Sequence, residues 1–255
     1  MSCVETRLEG GVLTLTLADV DNRNALSDAL KAQLAQAIDR AEADPAIRVV
    51  VLTNRGKTFC AGADLRQKRD SDAGAPKVGV PDLLLKIRRS PKPFVGRIAG
   101  HCVAGGVGLA AALDVSVAAD DAGFGFTEVR IGVAPAIISV VCLPKMRMAD
   151  AREAFLRGNR FDAAEAQRMG LINRSVPRDQ LDEAVDQVVR DLLAGGPEAI
   201  AATKQVLHQV PQMDFAEGME WASRLSGSLF ASDEGREGMA AFREKRNAAW
   251  NTNKE

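Results

Sequence analysis

An α/β fold whose second half turns helical is the class this 255-residue sequence predicts. Three observations carry that reading. Apolar runs with strand character fill the first part, amphipathic periodicity takes over after Asp150, and two small-residue loops each follow an apolar run. Taken in order, Gly11-Val12-Leu13-Thr14-Leu15-Thr16-Leu17 alternates apolar with threonine and reads as a strand with one buried face. Residues 48–53 form a continuous β-branched run and read as a strand buried on both faces. Between them Ser27 can cap a helix whose Leu30, Leu34 and Ile38 make one apolar stripe, closed by Asp44-Pro45. The runs at 93–98 and 115–119 flank a glycine loop and the segment 109–113, which predicts strand, loop, short helix, strand. Asp162-Ala163-Ala164-Glu165 reads as a capping box, Gly170 as the residue that ends that helix, and 171–176 as a short strand. Residues 181–193, 197–207, 215–229 and 233–247 then predict successive amphipathic helices, with apolar positions left over to fold back or to meet another subunit. The polar, Gly/Pro-bearing stretch 70–77 predicts a mobile loop.

Composition narrows the class of partner. At 46% hydrophobic and 26% charged, the chain is apolar enough to bury a sizeable core and is expected to fold as an ordinary globular protein. A formal net charge of -1, with no block of one sign, excludes nucleic acid or an anionic membrane as the main partner. The segment Met1-Ser2-Cys3-Val4-Glu5-Thr6-Arg7 has no apolar signal core. No run approaches the ~18 to 20 apolar residues of a spanning helix, so a cytoplasmic protein is expected. Cys3, Cys60, Cys102 and Cys142 fall in no CxxC pair and have no clustered histidines, so they are expected to be packing residues, with no metal site.

The chemistry must come from few side chains. There is no tyrosine, and the two histidines, His101 and His208, are isolated, which argues against a Ser-His-Asp or Cys-His triad. His101 reads as a ligand-lining or a packing histidine, and His208 as a solvated side chain at a helix end. The loops Phe59-Cys60-Ala61-Gly62-Ala63-Asp64-Leu65 and Gly100-His101-Cys102-Val103-Ala104-Gly105-Gly106-Val107-Gly108 can aim two backbone N–H groups at one oxygen. Peptide donors fixed in a dry pocket stabilise a developing enolate or oxyanion, and a missing Cβ admits close approach of substrate. Acid–base work then falls to a carboxylate. Glu128 stands out in Phe124-Gly125-Phe126-Thr127-Glu128-Val129-Arg130-Ile131-Gly132, because apolar surroundings raise a carboxyl pKa toward a proton-transferring range. The plain alternative is a capping glutamate or an ion pair with Arg130, and the local sequence alone prefers it.

The whole arrangement changes that preference. Asn24-Ala25-Leu26-Ser27, the loop 59–65, Ala104-Gly105-Gly106 with Asp114, Thr127-Glu128 running to Gly132, Asn159-Arg160-Phe161-Asp162-Ala163 with Gly170-Leu171, and the segment 237–246 occur in one order. Together they resemble the enoyl-CoA hydratase/isomerase superfamily, also called the crotonase family, over nearly the whole chain. The resemblance implies a crotonase-like spiral of repeated ββα units over 1–195. It also implies a helical C-terminal region over 196–255 that covers the site and trimerises, often into a hexamer. Substrates would be coenzyme A thioesters, with no cofactor beyond the coenzyme A they carry. By motif position, the N–H groups of Ala63 and Gly105 would form the oxyanion hole. Ala61, Gly62, Asp64 and Leu65 would line the coenzyme A path with Arg23 and Ala25 nearby, and Gly108 would line the substrate site. Lys245 would meet the nucleotide part, from the adjoining subunit.

One departure matters. Family hydratases with two catalytic glutamates carry the first where this chain has Gly108 and the second where it has Glu128. Hydration of a 2-enoyl-CoA, with Glu128 orienting water and returning its proton, is one reading. Isomerisation of a 3-enoyl-CoA, for which one carboxylate suffices, is the other. The segment 132–139 and the glycine at 108 resemble a bacterial branch of hydratases similar to methylglutaconyl-CoA hydratases, which places hydration narrowly first. An acyl-CoA binder without catalysis remains open. So does a dinucleotide site, since Gly106-Val107-Gly108-Leu109-Ala110-Ala111 satisfies GxGxxA.

Overall fold

The computed structural model describes residues 2–66 and 78–251, so the loop expected at 70–77 lies outside the described residues. The chain opens on a hairpin, β1 (Val4–Glu9) and β2 (Val12–Leu17), turned through Gly10 and Gly11, both at positive φ. Helix α1 (Asp28–Ala43) follows, its first turn capped by the Ser27 hydroxyl, which accepts from the Leu30 N–H at 3.2 Å. Leu30, Leu34 and Ile38 are buried as one stripe, as their four-residue recurrence requires.

Three turns of a repeated unit come next. In each, one strand joins a large sheet, the following strand joins a small sheet, and a helix leads back. They are β3 (Val49–Asn54), β4 (Thr58–Cys60) and α2 (Val80–Arg89); β5 (Phe94–Ile98), β6 (His101–Val103) and α3 (Gly105–Ala112); β7 (Val115–Ala119), β8 (Gly123–Gly125) and α4 (Ala136–Cys142). Then α5 (Met148–Arg157), β9 (Arg160–Asp162), α6 (Ala163–Arg168) and β10 (Arg174–Val176) complete the sheets. The rest is helical: α7 (Leu181–Ala194), α8 (Pro197–Gln209), α9 (Phe215–Ala231) and α10 (Asp233–Glu244).

The large sheet runs β1-β2-β3-β5-β7-β10 and the small one β4-β6-β8-β9. Only β1 against β2 and β8 against β9 are antiparallel; the other pairs are parallel. This is the spiral of ββα units that the resemblance implied. Strand β3 is buried along its whole length. One face joins the main core, and on the other Val49 and Val51 pack with Val95, Val117 and the α7 residues Leu181, Val185 and Val188. The small sheet and the short hairpin strand β1 carry no readable period. Residues 80–89, to which the sequence reading assigns no element, form α2, whose Leu83, Leu84 and Ile87 are buried.

A buried polar anchor ties α8 to the core. Lys204 on α8 is buried, and its ammonium donates to Asp114 Oδ2 at 2.6 Å, the Lys92 carbonyl at 2.9 Å and the Ile87 carbonyl at 3.3 Å. Three donors meet three acceptors, so the buried charge is paired and satisfied. Asp114 Oδ2 also accepts from the Phe94 N–H, which joins the anchor to β5. Further along, Arg48 donates to the carbonyls of Gly195 and Trp250, and the Trp250 indole donates to Ala194. No helix is long and apolar enough to cross a membrane among the described residues.

Candidate active site

The site is built at the carboxyl ends of three neighbouring parallel strands of the small sheet. Strand β4 feeds the loop with Ala61, Gly62 and Ala63, β6 feeds Ala104 and Gly105, and β8 feeds a 3₁₀ turn, Thr127–Ile131, that carries Glu128. Cys60 and Cys102 are register partners, as are Cys102 and Phe124, so the three loops leave the sheet side by side. Carboxyl ends of parallel strands are where such sheets hold ligands, because the loops there converge on one crevice.

Glycine serves these loops in a way the sequence reading did not foresee. It was expected to admit substrate, yet the missing Cβ atoms let the two loops approach each other. A Cβ on Gly62 would come within 2.9 Å of the Gly105 nitrogen and 3.0 Å of the Val103 carbonyl oxygen. One on Gly106 would overlap the Cys60 carbonyl, with the carbonyl carbon at 2.7 Å. Ala104 takes φ 49 and ψ -122, a strained backbone held by its N–H bond to Gly125 at 2.9 Å. This contortion opens α3 so that the Gly105 N–H is a first-turn donor with no partner inside the helix. The Ala63 N–H donates to no backbone acceptor among the described residues either. The proximity of the two groups shows in the Gly105 surroundings, where a Cβ would be 3.7 Å from the Ala63 nitrogen.

The segment before α1 locks onto the first loop. Leu26 N–H donates to the Gly62 carbonyl at 2.8 Å and Ala61 N–H to the Arg23 carbonyl at 3.2 Å. Arg23 and Asn24 both sit at positive φ, and the buried Asn24 amide donates to the carbonyls of Thr58 at 2.8 Å and Arg55 at 3.2 Å. Arg23 and Ala25 are therefore brought beside Ala61 and Gly62, with Arg23 exposed and Ala25 buried. Asp64 accepts from the Asn22 amide at 2.9 Å, and Leu65 is 73% exposed. Lys245 is not brought to this place within one chain: it ends α10, which packs on α8 and α9.

Glu128 is half-buried, and its Oε2 is sealed from solvent with no hydrogen-bond partner among the described residues. Burial raises its carboxyl above the ordinary glutamate range, against a smaller opposing hydrogen bond from its own backbone. The ion-pair alternative does not hold. Arg130 turns away and donates to the carbonyls of Arg157 at 2.9 Å and Gly158 at 3.4 Å. A carboxyl with one oxygen unpartnered, carried on the strand end next to the one that carries Gly105, suits proton transfer to carbon or water.

Gly108 lies on α3, one turn from Gly105, and faces protein instead of open space. A Cβ there would stand 2.7 Å from the Cβ of Ile138, which is 3% exposed. Ile138 escaped the sequence reading because thirty residues separate it from Gly108 and nothing in the pattern marks the contact; the one local sign is the apolar pair Ile137-Ile138 after Pro135. Gly106 and Gly108 thus touch Cys60 and Ile138, so their lack of side chains is used for packing rather than for a pyrophosphate. His101 is a packing residue: its Nδ1 accepts from the Gly123 N–H at 2.9 Å and links β6 to β8. His208 departs from the solvated side chain expected for it. Its Nε2 is buried without a partner among the described residues, and desolvation, with Arg88 nearby, lowers its pKa. Cys60, Cys102 and Cys142 are free and buried, as packing thiols should be.

A sequence profile described as enoyl-CoA hydratase/isomerase matches residues 7–253. Enoyl-CoA hydratase EchA19 of Mycobacterium tuberculosis is 34% identical over 247 residues, covering 93% of this chain and 92% of that protein. Mevalonyl-coenzyme A hydratase sidH of Aspergillus fumigatus is 33% identical over 254 residues, covering 95% and 92%. Among solved structures, the enoyl-CoA hydratase of Mycobacterium smegmatis superposes with a TM-score of 0.91 at 30% identity, over 99% of this chain and 100% of that one. With the spiral and both loops in place, the chain belongs to the enoyl-CoA hydratase/isomerase family.

Proposed function

We propose that the chain hydrates a 2-enoyl-CoA thioester. What supports the reading is that two unengaged N–H groups, on Ala63 and Gly105, and the Glu128 carboxyl with its unpartnered Oε2 are carried at the ends of adjacent strands. The thioester oxygen would sit on both donors. Glu128 takes a proton from water as the water oxygen bonds to C3, and the C2=C3 π pair shifts to leave an enolate on the thioester oxygen. C2 then takes the proton back from Glu128 as the enolate collapses, so one water is added and no other reactant is needed. A single oxyanion donor is worth ~3 kcal/mol of barrier, and two on one enolate supply several. Ala61, Gly62, Asp64 and Leu65 would line the coenzyme A path, with the exposed Arg23 toward the phosphates, while Gly108 would lie behind the site, covered by Ile138. Lys245 would reach the nucleotide from a neighbouring copy in a trimer or hexamer. No resident cofactor enters this scheme.

A second reading has its own support in the Gly108–Ile138 contact, which leaves one carboxylate. Glu128 would remove a C2 proton from a 3-enoyl-CoA and deliver it to C4 through the same enolate, leaving a 2-enoyl-CoA. A panel of acyl-CoA esters separates the two by the sign of the conjugated-thioester absorbance. Crotonyl-CoA should lose it under the first reading, and a 3-enoyl-CoA should gain it under the second. An enzyme that changes neither overturns both.

A further inference from the structure

The room a side chain at position 108 would need is already taken. Beyond the 2.7 Å approach to the Ile138 Cβ, a Cβ at 108 would overlap the Ile138 Cγ2, while the Ile138 Cα would lie at an ordinary 3.5 Å. The obstacle is therefore a β-branched side chain with little χ1 freedom on a buried helix face, and it cannot swing aside as a lysine tip would. One turn along the same face, Cys142 is fully buried, and that burial pushes its thiol up to about 12 against a smaller opposing effect of Lys145. Gly108 sits one turn from the Gly105 donor on α3, and Ile138 lies on α4, the helix that follows the turn carrying Glu128, so the contact adjoins the proposed site.

We propose that Ile138 is the residue that sets the reaction outcome at this site. By filling the space over Gly108 it excludes both a second carboxylate and the water such a carboxylate would hold, so that water addition and double-bond migration rely on Glu128 alone. Clearing that space favours addition of water, because water is a reactant there and migration needs none. The inference rests on the enoyl-CoA reading above.

The arithmetic of the contact selects the variants. Alanine at 138 keeps a Cβ 2.7 Å from the new one and still obstructs a glutamate, although it frees room for a water. Glycine leaves only the Cα at 3.5 Å. The test compares wild type, Gly108→Glu, Ile138→Ala and the pair Gly108→Glu with Ile138→Gly. Each is scored for crotonyl-CoA hydration against 3-enoyl-CoA isomerisation, with its melting temperature. Gly108→Glu alone should melt several degrees lower, and Ile138→Gly in the same chain should recover part of that loss. The hydration-to-isomerisation ratio of kcat/KM should rise ~10-fold or more in the pair, as expected for an added acid–base group. It should also rise in Ile138→Ala, which decides the matter if the pair does not fold. A Gly108→Glu variant as stable as wild type overturns the proposal, and so does an unchanged ratio in folded, active variants. A wild type that converts neither ester refutes the enoyl-CoA reading first, and this proposal with it.

Discussion

Glu128 is held at a cost to the fold, and that cost is measurable apart from its chemistry. Its carboxyl keeps its proton to a higher pH in the folded state than in the unfolded chain, because burial penalises the charge. Between the ordinary value of 4.5 and the raised one the folded state binds more protons, so stability falls as pH climbs through that window. Glu128→Gln, which carries no charge to bury, should melt higher than wild type near pH 7, and the difference should vanish near pH 3, below both values, where the glutamate is neutral in the folded and the unfolded chain. For the same reason the acid limb of kcat/KM for a Glu128 base should have its midpoint above the ordinary glutamate value. Gly108 gives a second residue-level prediction. Glycine to alanine inside a helix ordinarily gains about 1 kcal/mol. Here the added Cβ meets a buried isoleucine at 2.7 Å, and overpacking of that kind costs about 1–3 kcal/mol, so Gly108→Ala should lower stability in a urea melt.

At the scale of elements, α8 is fastened to the spiral through Lys204 and Asp114, and removing the lysine leaves a carboxylate only 20% exposed without its charge partner. Breaking a buried pair from one side costs about 3–5 kcal/mol, so Lys204→Ala should unfold at markedly lower urea. Lys204→Met, which restores the packing against Phe94, should lose less. The sequence made the longer elements plain. Strand β2 and helices α1 and α7 to α10 show a period of two or near 3.6 over enough residues to be seen, and Asp162 caps α6 through the Glu165 N–H as its spacing implied. The strands that hold the site are only three residues long in β4, β6 and β8, too short for any period to register. The repeat of ββα units is likewise invisible as a sequence repeat, because what recurs is the path of the chain and each turn fills its core with different residues. The two loops were legible through their small residues, but the reason for those residues was not: Gly62 and Gly106 serve loop-to-loop contact, which only the register of β4 against β6 reveals. The burial of the His208 Nε2 was hidden for a similar reason, since it depends on α8 packing beside Arg88 on α2.

The whole molecule leaves a large apolar surface on its helical end. Phe215 and Phe242 are 85% and 87% exposed, and an open cleft of about 500 Å³ among α8, α9 and α10 is lined by Leu225, Leu229, Phe230, Met239 and Trp250. Surfaces of this kind are covered in soluble proteins, and a ring of copies is the cover we propose. Light scattering should give three or six times the 27.2 kDa chain mass, and Phe242→Asp should shift that mass downward. All of this serves one claim, that Ala63 and Gly105 hold an enolate while Glu128 alone moves the proton. The most direct measurement follows the conjugated-thioester absorbance of crotonyl-CoA with wild type and with Glu128→Gln, alongside a binding titration of the same ester. The absorbance should fall with wild type and hold steady with the variant, at unchanged affinity; a variant that turns over at the wild-type rate would contradict the account.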